Sequence, residues 1–332
     1  MNDALSPRGK VSRMAKRTMT DRLFLVADIG GTNTRVALGG DGGVDLNSVR
    51  KFKNAEHADL ETILRTYLDD AGAPELAATC IAMAGPVRDN LGTMTNLNWT
   101  IDARTIAPIT GGPVTVLNDL PAQGYAIDIL PKTAFTPLRQ GAGNGDGSRL
   151  VVGLGTGFNI STVVETDTGP IATPAEAGHV SLPVETAEDL ELATYLRAHF
   201  GFAALEDALS GRGLSNLHAW LSGTHSRLPS DAIMARLADG DADAAKAMAT
   251  FTRLLGIGVG NLALTVLPYG GIYLCGGMAR AVAPHLMQNG FETAFQNKGR
   301  FGGLLKQFGI SVINDDFAAL HGCFAYLSQA SA

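Results

Sequence analysis

The sequence has little of what marks a nucleic-acid-binding, membrane-spanning or disulfide-rich protein. Its net charge is −6, from 26 Lys and Arg against 32 Asp and Glu, so no general affinity for nucleic acid or anionic membranes is expected. No uninterrupted apolar run reaches the ~20 residues of a membrane span. Cys80, Cys275 and Cys323 are far apart and form no C-x-x-C pair. They are predicted to be buried free thiols in a reducing cytoplasm.

The first twenty residues differ from the rest of the chain. They carry five basic residues between positions 8 and 17, but no apolar segment of a secretory signal follows. We interpret residues 1–20 as a disordered basic leader or a start-site artefact. The whole chain of 332 residues is 45% hydrophobic and 17% charged. These values are typical of a globular protein with roughly two domains.

The most informative stretch of the sequence lies between Leu25 and Leu38. An apolar run enters a Gly-Gly turn, and a second apolar run leaves it, which predicts a β-hairpin with Gly30–Asn33 at its tip. Glycines let the backbone approach a bulky anion and point consecutive N–H groups at it. Asp28 precedes the turn, and a carboxylate beside an anion requires a cation. We therefore predict a phosphate loop with Mg²⁺ facing Asp28 directly or through water; the alternative is an ordinary tight hairpin.

A second stretch repeats this pattern in the other half of the chain. Leu150–Thr162 contains an apolar run, the turn Gly155-Thr156-Gly157 and a second apolar run. Such turns are common, so one alone is weak support for a phosphate site. Two similar hairpins indicate a duplicated core in which each half offers one loop to a nucleotide held between them.

Strands and helices alternate after the first hairpin, which indicates an α/β sheet covered by helices. Thr79–Ala84 and Pro113–Leu117 read as short apolar strands. Ligands of such sheets bind beyond the carboxyl ends of the strands. Asp28, Gly85 and Asp119 all follow strand ends, so we expect them to converge on one cleft. Asp119 has an alternative role as the N-cap of a following helix.

Three further polar or glycine motifs have two interpretations each. Glu176 and His179 lie three residues apart, but further metal ligands are lacking nearby, so a metal site is not favoured. Glu206 is either a functional carboxylate or a solvated one on a helix. Gly276 and Gly277 follow an apolar strand and would either shelter a flat ring or form a strand–helix turn.

Taken as an ordered set, these motifs resemble the bacterial glucokinase family of the actin–hexokinase superfamily. The resemblance extends from about Leu23 to the C-terminal helix. The Cys-rich zinc motif of the repressor–kinase relatives is absent from the sequence, which favours the metal-free glucokinase branch. The matching segments are Asp28–Arg35, Met94–Trp99, Leu117–Asp119, Gly155–Gly157, Glu176–His179, Glu206 with Leu209–Gly211, and Cys275–Gly277.

The resemblance implies ATP:D-glucose 6-phosphotransferase activity with Asp119 as the general base. It implies ATP and Mg²⁺ as cofactors and D-glucose as substrate. The implied sugar ligands are Asn96, Asn118, Asp119, Glu176, His179 and Glu206. The implied nucleotide-binding residues are Ala27, Asp28, Ile29, Gly30, Gly31, Thr32, Asn33, Gly155, Thr156, Gly157, Gly276 and Gly277.

The resemblance also implies a duplicated, ribonuclease H-like α/β fold with two domains around a central cleft. The expected small domain spans residues 21–129 and is completed by a helix at 315–332. The expected large domain spans residues 130–314. A cytoplasmic homodimer whose domains close over the cleft is implied as well.

The sequence departs from the family pattern at four positions. Asn159 stands where relatives often have glycine, Leu120 replaces an aromatic residue, and Ala175 and Ala177 replace glycines beside Glu176. These departures bear on the sugar and nucleotide contacts rather than on the chemistry.

Other functions remain open at this point. One is a kinase of another hexose or small substrate, including a carboxylate kinase in which Arg88 or Arg212 would bind the anion. Another is a non-catalytic sugar-sensing regulator, but the leader is too short for a helix-turn-helix. ADP or polyphosphate as the phosphoryl donor also stays open.

Overall fold

The computed structural model describes residues 22–94, 97–224 and 226–331. The strands within these ranges are β1 (Phe24–Ile29), β2 (Asn33–Gly40), β3 (Gly43–Val44), β4 (Arg50–Lys53), β5 (Ala78–Met83), β6 (Val87–Arg88), β7 (Leu91–Thr93), β8 (Thr100–Asp102), β9 (Val114–Asn118), β10 (Phe135–Arg139), β11 (Arg149–Leu154), β12 (Phe158–Thr166), β13 (Gly169–Pro174), β14 (Ile272–Cys275) and β15 (Ile310–Ile313).

The helices of the same ranges lie between and after these strands. They are α1 (Leu60–Asp70), α2 (Ala103–Thr110), α3 (Asp119–Ala126), α4 (Ala187–Phe200), α5 (Gly211–Ser222), α6 (Ser230–Ala238), α7 (Ala242–Val266), α8 (Gly277–Leu286), α9 (Phe291–Gln296), α10 (Gly302–Leu305) and α11 (Ala318–Ala330).

The two large sheets share one topology. The first has the order β3-β2-β1-β5-β9, with β4 also paired to β2, and the second has the order β10-β15-β14-β11-β12-β13. Each contains an antiparallel hairpin, β1–β2 or β11–β12. In each sheet two further strands follow beside the first strand of the hairpin and run parallel to it: β5 and β9 in the first sheet, β14 and β15 in the second. This repetition confirms the predicted duplicated α/β fold.

Helices cover both faces of the first sheet. The buried side chains of α1 and α2 form one apolar core with it, and α11 forms a second core on the opposite face. Leu320 of α11 is fully buried there with Phe24 of β1. Cys80, Cys275 and Cys323 are buried and free, as predicted.

The long helix α7 organises the core of the second sheet. Its glycines allow close packing, since a Cβ at Gly256 would lie 2.5 Å from the Phe291 carbonyl oxygen and one at Gly260 would lie 2.7 Å from that of Phe295. Within the described residues, α7 is the one helix long and apolar enough to cross a membrane. Most of it is buried among other helices, as in the core helix of a globular protein.

The short helix α3 connects the two sheets. It packs on α11 and on β12 and β13. Gly322 of α11 has no room for a Cβ against the Ala122 carbonyl of α3. Leu120 lies against Gly153, because a Cβ added to Gly153 would be 2.6 Å from a methyl carbon of Leu120. An aliphatic side chain at position 120 therefore fits this junction.

Candidate active site

The first glycine turn joins β1 to β2 and is held from behind by Asn54. The Gly30 N–H donates to the Asn33 carbonyl at 3.0 Å. The Asn54 amide donates to the Gly30 carbonyl at 2.8 Å, its backbone N–H donates to the Thr32 carbonyl at 2.9 Å, and its side-chain oxygen accepts from Thr34 at 2.8 Å. This buried asparagine was missed in the sequence because it lies far beyond the motif and belongs to no pattern.

Asp28 lies at the end of β1 beside this turn. Its side chain is 17% exposed, and an Arg35 nitrogen lies 3.3 Å from its carboxylate. Burial raises the pKa of Asp28, whereas the charge and hydrogen bond of Arg35 lower it. The neighbouring Ala27 and Ile29 are fully buried, so only their backbone atoms can face a ligand.

The second glycine turn joins β11 to β12 and has Glu206 directly behind it. The Gly155 N–H donates to the Gly157 carbonyl at 3.0 Å. A Cβ at Gly157 would lie 2.9 Å from a Glu206 carboxylate oxygen, and the Phe158 N–H donates to the same oxygen at 3.4 Å. Glu206 is 15% exposed and lies in a 3-10 turn, Leu205–Asp207. The interpretation of Glu206 as a solvated helix carboxylate is therefore wrong.

Asp119 is the first residue of α3, and the preceding Asn118 is its N-cap. The Asn118 side chain accepts from the Leu120 N–H at 3.1 Å and donates to the Gly85 carbonyl at 2.9 Å. The alternative prediction that Asp119 is the cap is wrong, because Asn118 has the extended conformation that a cap needs. This arrangement leaves the Asp119 carboxylate free of the capping role.

The environment of Asp119 suits a base that works at neutral pH. Burial raises its pKa from 3.8 to about 7, with smaller contributions from the negative charges of Asp28 and then Glu176. The backbone N–H groups of Leu120 and of Asp119 itself act in the opposite direction. A carboxylate with a pKa near the working pH accepts a proton readily, and a substantial fraction of it is still ionised.

Asn159 positions the loop that carries Glu176. Its amide donates to the Ala175 carbonyl at 2.5 Å and to the Glu176 carboxylate at 3.2 Å. Its side-chain oxygen accepts from the N–H groups of Ile160 at 2.8 Å and Ala177 at 3.0 Å. The residue that departs from the family pattern therefore holds the carboxylate of a predicted sugar ligand.

Gly178 brings the Glu176–His179 segment close to β12 and to Glu206. A Cβ at this position would lie 2.0 Å from the Phe158 carbonyl oxygen and 3.3 Å from the Glu206 Cβ. Glu176 and His179 are both exposed at the surface of this segment. Only glycine allows the approach, so the three predicted sugar ligands share one wall.

The Gly-Gly pair after β14 forms a strand–helix turn with an open side. Gly276 has φ +97° and caps α8, and a Cβ there would lie 2.4 Å from the Leu154 carbonyl oxygen. A Cβ at Gly277 would have nothing within 4 Å. The two glycines therefore form the strand–helix turn that was one of the two predictions. They also leave space beside Gly277 for a flat ring, which was the other.

Many of the predicted site residues lie on or beside one of the two glycine turns, and the charges of Asp28 and Glu176 both act on Asp119. Asn96 lies outside the described residues. Within the described ranges, no cluster of three or more His, Cys, Asp or Glu side chains can hold a metal ion. Mg²⁺ bound with phosphates needs only one or two protein carboxylates. Asp28, beside the first turn, fits that limited requirement.

Comparisons with known proteins agree with this geometry. The sequence model of the family described as "Glucokinase" matches residues 25–330. A glucokinase from Tolumonas auensis is 31% identical over 311 residues, which cover 92% of this chain and 97% of the relative. A crystal structure of glucokinase from an Antarctic psychrotroph matches with a TM-score of 0.82 and 27% identity, covering 93% of this chain and 99% of that one.

A more distant solved structure shares the fold. It is a ROK family glucokinase from Streptomyces griseus in complex with glucose and AMPPNP. Its TM-score is 0.63 at 19% identity, and the match covers 92% of this chain and 98% of that one.

Proposed function

The chain belongs to the glucokinase family and is a glucose kinase, and from this premise we propose that Asp119 is the general base of the transfer. Asp119 takes the proton from the 6-hydroxyl of glucose. That oxygen forms a bond to the terminal phosphorus of ATP while the bond from this phosphorus to the β–γ bridging oxygen breaks. The electron pair leaves with ADP, and the product is glucose 6-phosphate.

The observation that carries this proposal is the environment of Asp119. The carboxylate is half-buried at the start of α3, and partial burial together with the charges of Asp28 and Glu176 raises its pKa to about 7. A base matched to neutral pH contributes roughly 10²–10⁴-fold to the rate of a proton transfer. A sugar hydroxyl is a poor nucleophile without such help.

The two glycine turns are proposed to hold the triphosphate between them. Residues 27–33 provide the first turn and Gly155–Gly157 the second, and the open side of Gly277 provides space for the adenine ring. The AMPPNP in the Streptomyces griseus structure supports ATP as the donor. Asp28 would hold Mg²⁺, which neutralises phosphate charge when it is bound with the nucleotide.

The sugar is proposed to be recognised by hydrogen bonds from both sides of the cleft. Glu176, His179 and Glu206 contribute from the second half, and Asn96, Asn118 and Asp119 contribute from the first. Each buried polar group left without a partner costs about 1–3 kcal/mol. A cleft built to pair with every hydroxyl therefore discriminates against other sugars.

We propose that the small domain is residues 21–129 with 315–332 and that the large domain is 130–314. Their closure over glucose would exclude water, which otherwise competes as a phosphoryl acceptor. Small-angle scattering with and without glucose tests this closure. The family resemblance also leads us to propose a homodimer, which light scattering tests. The buried free thiols support a cytoplasmic location.

The test of this mechanism is the Asp119→Asn variant in a coupled assay, with Asp69→Asn, an exposed carboxylate on α1, as the matched control. We expect turnover to fall by about 10²–10⁴-fold or more, while calorimetry shows that glucose and AMPPNP still bind. Substantial remaining turnover would remove Asp119 from the base role. A panel of hexoses and small carboxylic acids, assayed with ATP, ADP and polyphosphate, would identify a different substrate or donor.

A further inference from the structure

Arg212 links the second glycine turn to a proposed sugar ligand. One of its terminal nitrogens donates to the Glu206 carboxylate at 3.0 Å, and its Nε donates to the Thr156 carbonyl at 3.3 Å. Thr156 is the middle residue of the turn proposed to hold phosphate. The guanidinium therefore lies between the two substrate sites.

The position of Arg212 is fixed by the start of α5. Ser210 caps this helix, and its side chain accepts from the Gly213 N–H at 2.9 Å. The Gly211 N–H donates to the Gly155 carbonyl at 2.8 Å. The backbone beside Arg212 is thus bonded directly to the turn, which fixes the position of the side chain relative to Gly155.

The guanidinium has donors left for a ligand. An arginine side chain carries five N–H donors, and the bonds to Glu206 and Thr156 use two of them. The side chain of Arg212 is 69% exposed, whereas that of Glu206 is 15% exposed. The remaining donors are accessible to a molecule that enters the cleft.

The negative charge of the cleft favours a cation at this place in addition to Mg²⁺. Asp28, Asp119, Glu176 and Glu206 are all acidic, and a triphosphate adds further negative charge. Arg35 serves the first turn, where it pairs with Asp28. Phosphoryl transfer depends on stabilising the charge on the transferring group, and arginine supplies a permanent, multiply donating cation for it.

We propose that Arg212 contacts the terminal phosphate of the nucleotide and, through Glu206, couples phosphate binding to sugar binding. This inference rests on the proposed placement of the triphosphate between the two turns. The guanidinium of Arg212 is a hydrogen-bond donor only and has no acceptor atom. It donates hydrogen bonds to phosphate oxygens while the phosphorus moves from the bridging oxygen to the sugar oxygen.

The test compares the binding of AMPPNP and ADP, each with Mg²⁺, to the native enzyme and to the Arg212→Met and Arg212→Lys variants. Arg65→Met, an exposed arginine on α1, is the control. If Arg212 contacts the terminal phosphate, Arg212→Met weakens AMPPNP binding by about 10–100-fold and leaves ADP binding almost unchanged. The lysine variant keeps part of the AMPPNP affinity that the methionine variant loses. The kcat decreases in the same order, from the native enzyme to Arg212→Lys and then to Arg212→Met.

Three results would overturn this inference. Equal loss of AMPPNP and ADP affinity would show that Arg212 only maintains the turn. A change confined to the KM for glucose would show that it acts through Glu206 alone. Failure of the native enzyme to bind either nucleotide would overturn the triphosphate placement itself. Full turnover by Asp119→Asn would overturn the proposed base and leave the Arg212 comparison intact.

Discussion

The raised pKa of Asp119 predicts that the proposed catalytic base destabilises the folded chain. Its pKa rises from 3.8 to about 7 because the carboxylate is buried. At a pH well above 7 the carboxylate is ionised in both the folded and the unfolded state. The whole pKa shift then lowers the free energy of unfolding, by about 4 kcal/mol. The cost decreases as the pH falls through 7 and vanishes below 3.8, where the group is protonated in both states.

The Asp119→Asn variant removes this cost, so it should be more stable than the native enzyme at high pH. Between about pH 5.5 and about pH 8.5, the stability difference between variant and native chain should grow by about 2 kcal/mol. For a chain of this length that corresponds to roughly 3 °C in melting temperature. Asp69→Asn, at an exposed position on α1, provides the control for the loss of one charge.

Calorimetric melting of the three proteins at the two pH values measures this effect directly. The comparison uses only the change with pH, so a constant difference in packing between Asp and Asn does not affect it. A stability difference that does not change with pH would refute the argument that burial holds a proton on Asp119 near neutral pH. It would also remove the physical reason for assigning the base to this residue.

Two further predictions concern the walls of the cleft. Glu176→Ala and His179→Ala should each raise the KM for glucose far more than the KM for ATP, because both side chains are proposed to bind sugar hydroxyls. Steady-state kinetics measures both constants, and equal effects on the two would contradict this prediction. Asn54→Ala should raise the KM for ATP several-fold and lower the stability by about 1–3 kcal/mol, because the Gly30 carbonyl and the Thr34 hydroxyl lose their side-chain partner. An unchanged KM for ATP, measured at saturating glucose, would show that the first turn keeps its shape without Asn54.

The parts of the fold that depend on local chemistry were predictable from the sequence. The helix α4 begins with a capping box between Thr186 and Asp189, and a threonine followed three residues later by an acidic residue is a local signal of a helix start. The two glycine turns were also expected, because an apolar run interrupted by glycines leaves the chain few alternatives to a hairpin. Their topological equivalence in the two sheets follows from the same repeated pattern.

The site depends on contacts between segments that are distant in the sequence, and these could not be predicted. Glu206 is behind Gly157 because α5 starts against the second turn, a fact with no local signature. Asn54 and Asn159 act through side-chain amides that hold backbone carbonyls. Their neighbours in sequence do not reveal these partners, because hydrogen bonds across a fold depend on packing.

The capping of α3 shows that two similar residues at the end of a strand can have different roles. Asn118 and Asp119 are both good N-cap residues, and sequence preference hardly separates them. The structure assigns the cap to Asn118, which also donates to the Gly85 carbonyl. Asp119 follows as the first helical residue, so its carboxylate remains available for another partner.

The dependence of the first sheet on α11 has a consequence during synthesis. Roughly 190 residues separate α3 from α11, so at about 5–20 residues per second the ribosome needs roughly 10–40 s to make the segment between them. Until α11 emerges, Phe24, Val26 and their neighbours lack the apolar surface that covers them in the finished protein. The growing chain therefore exposes an apolar sheet face until its last helix is made, and such transient exposure favours aggregation.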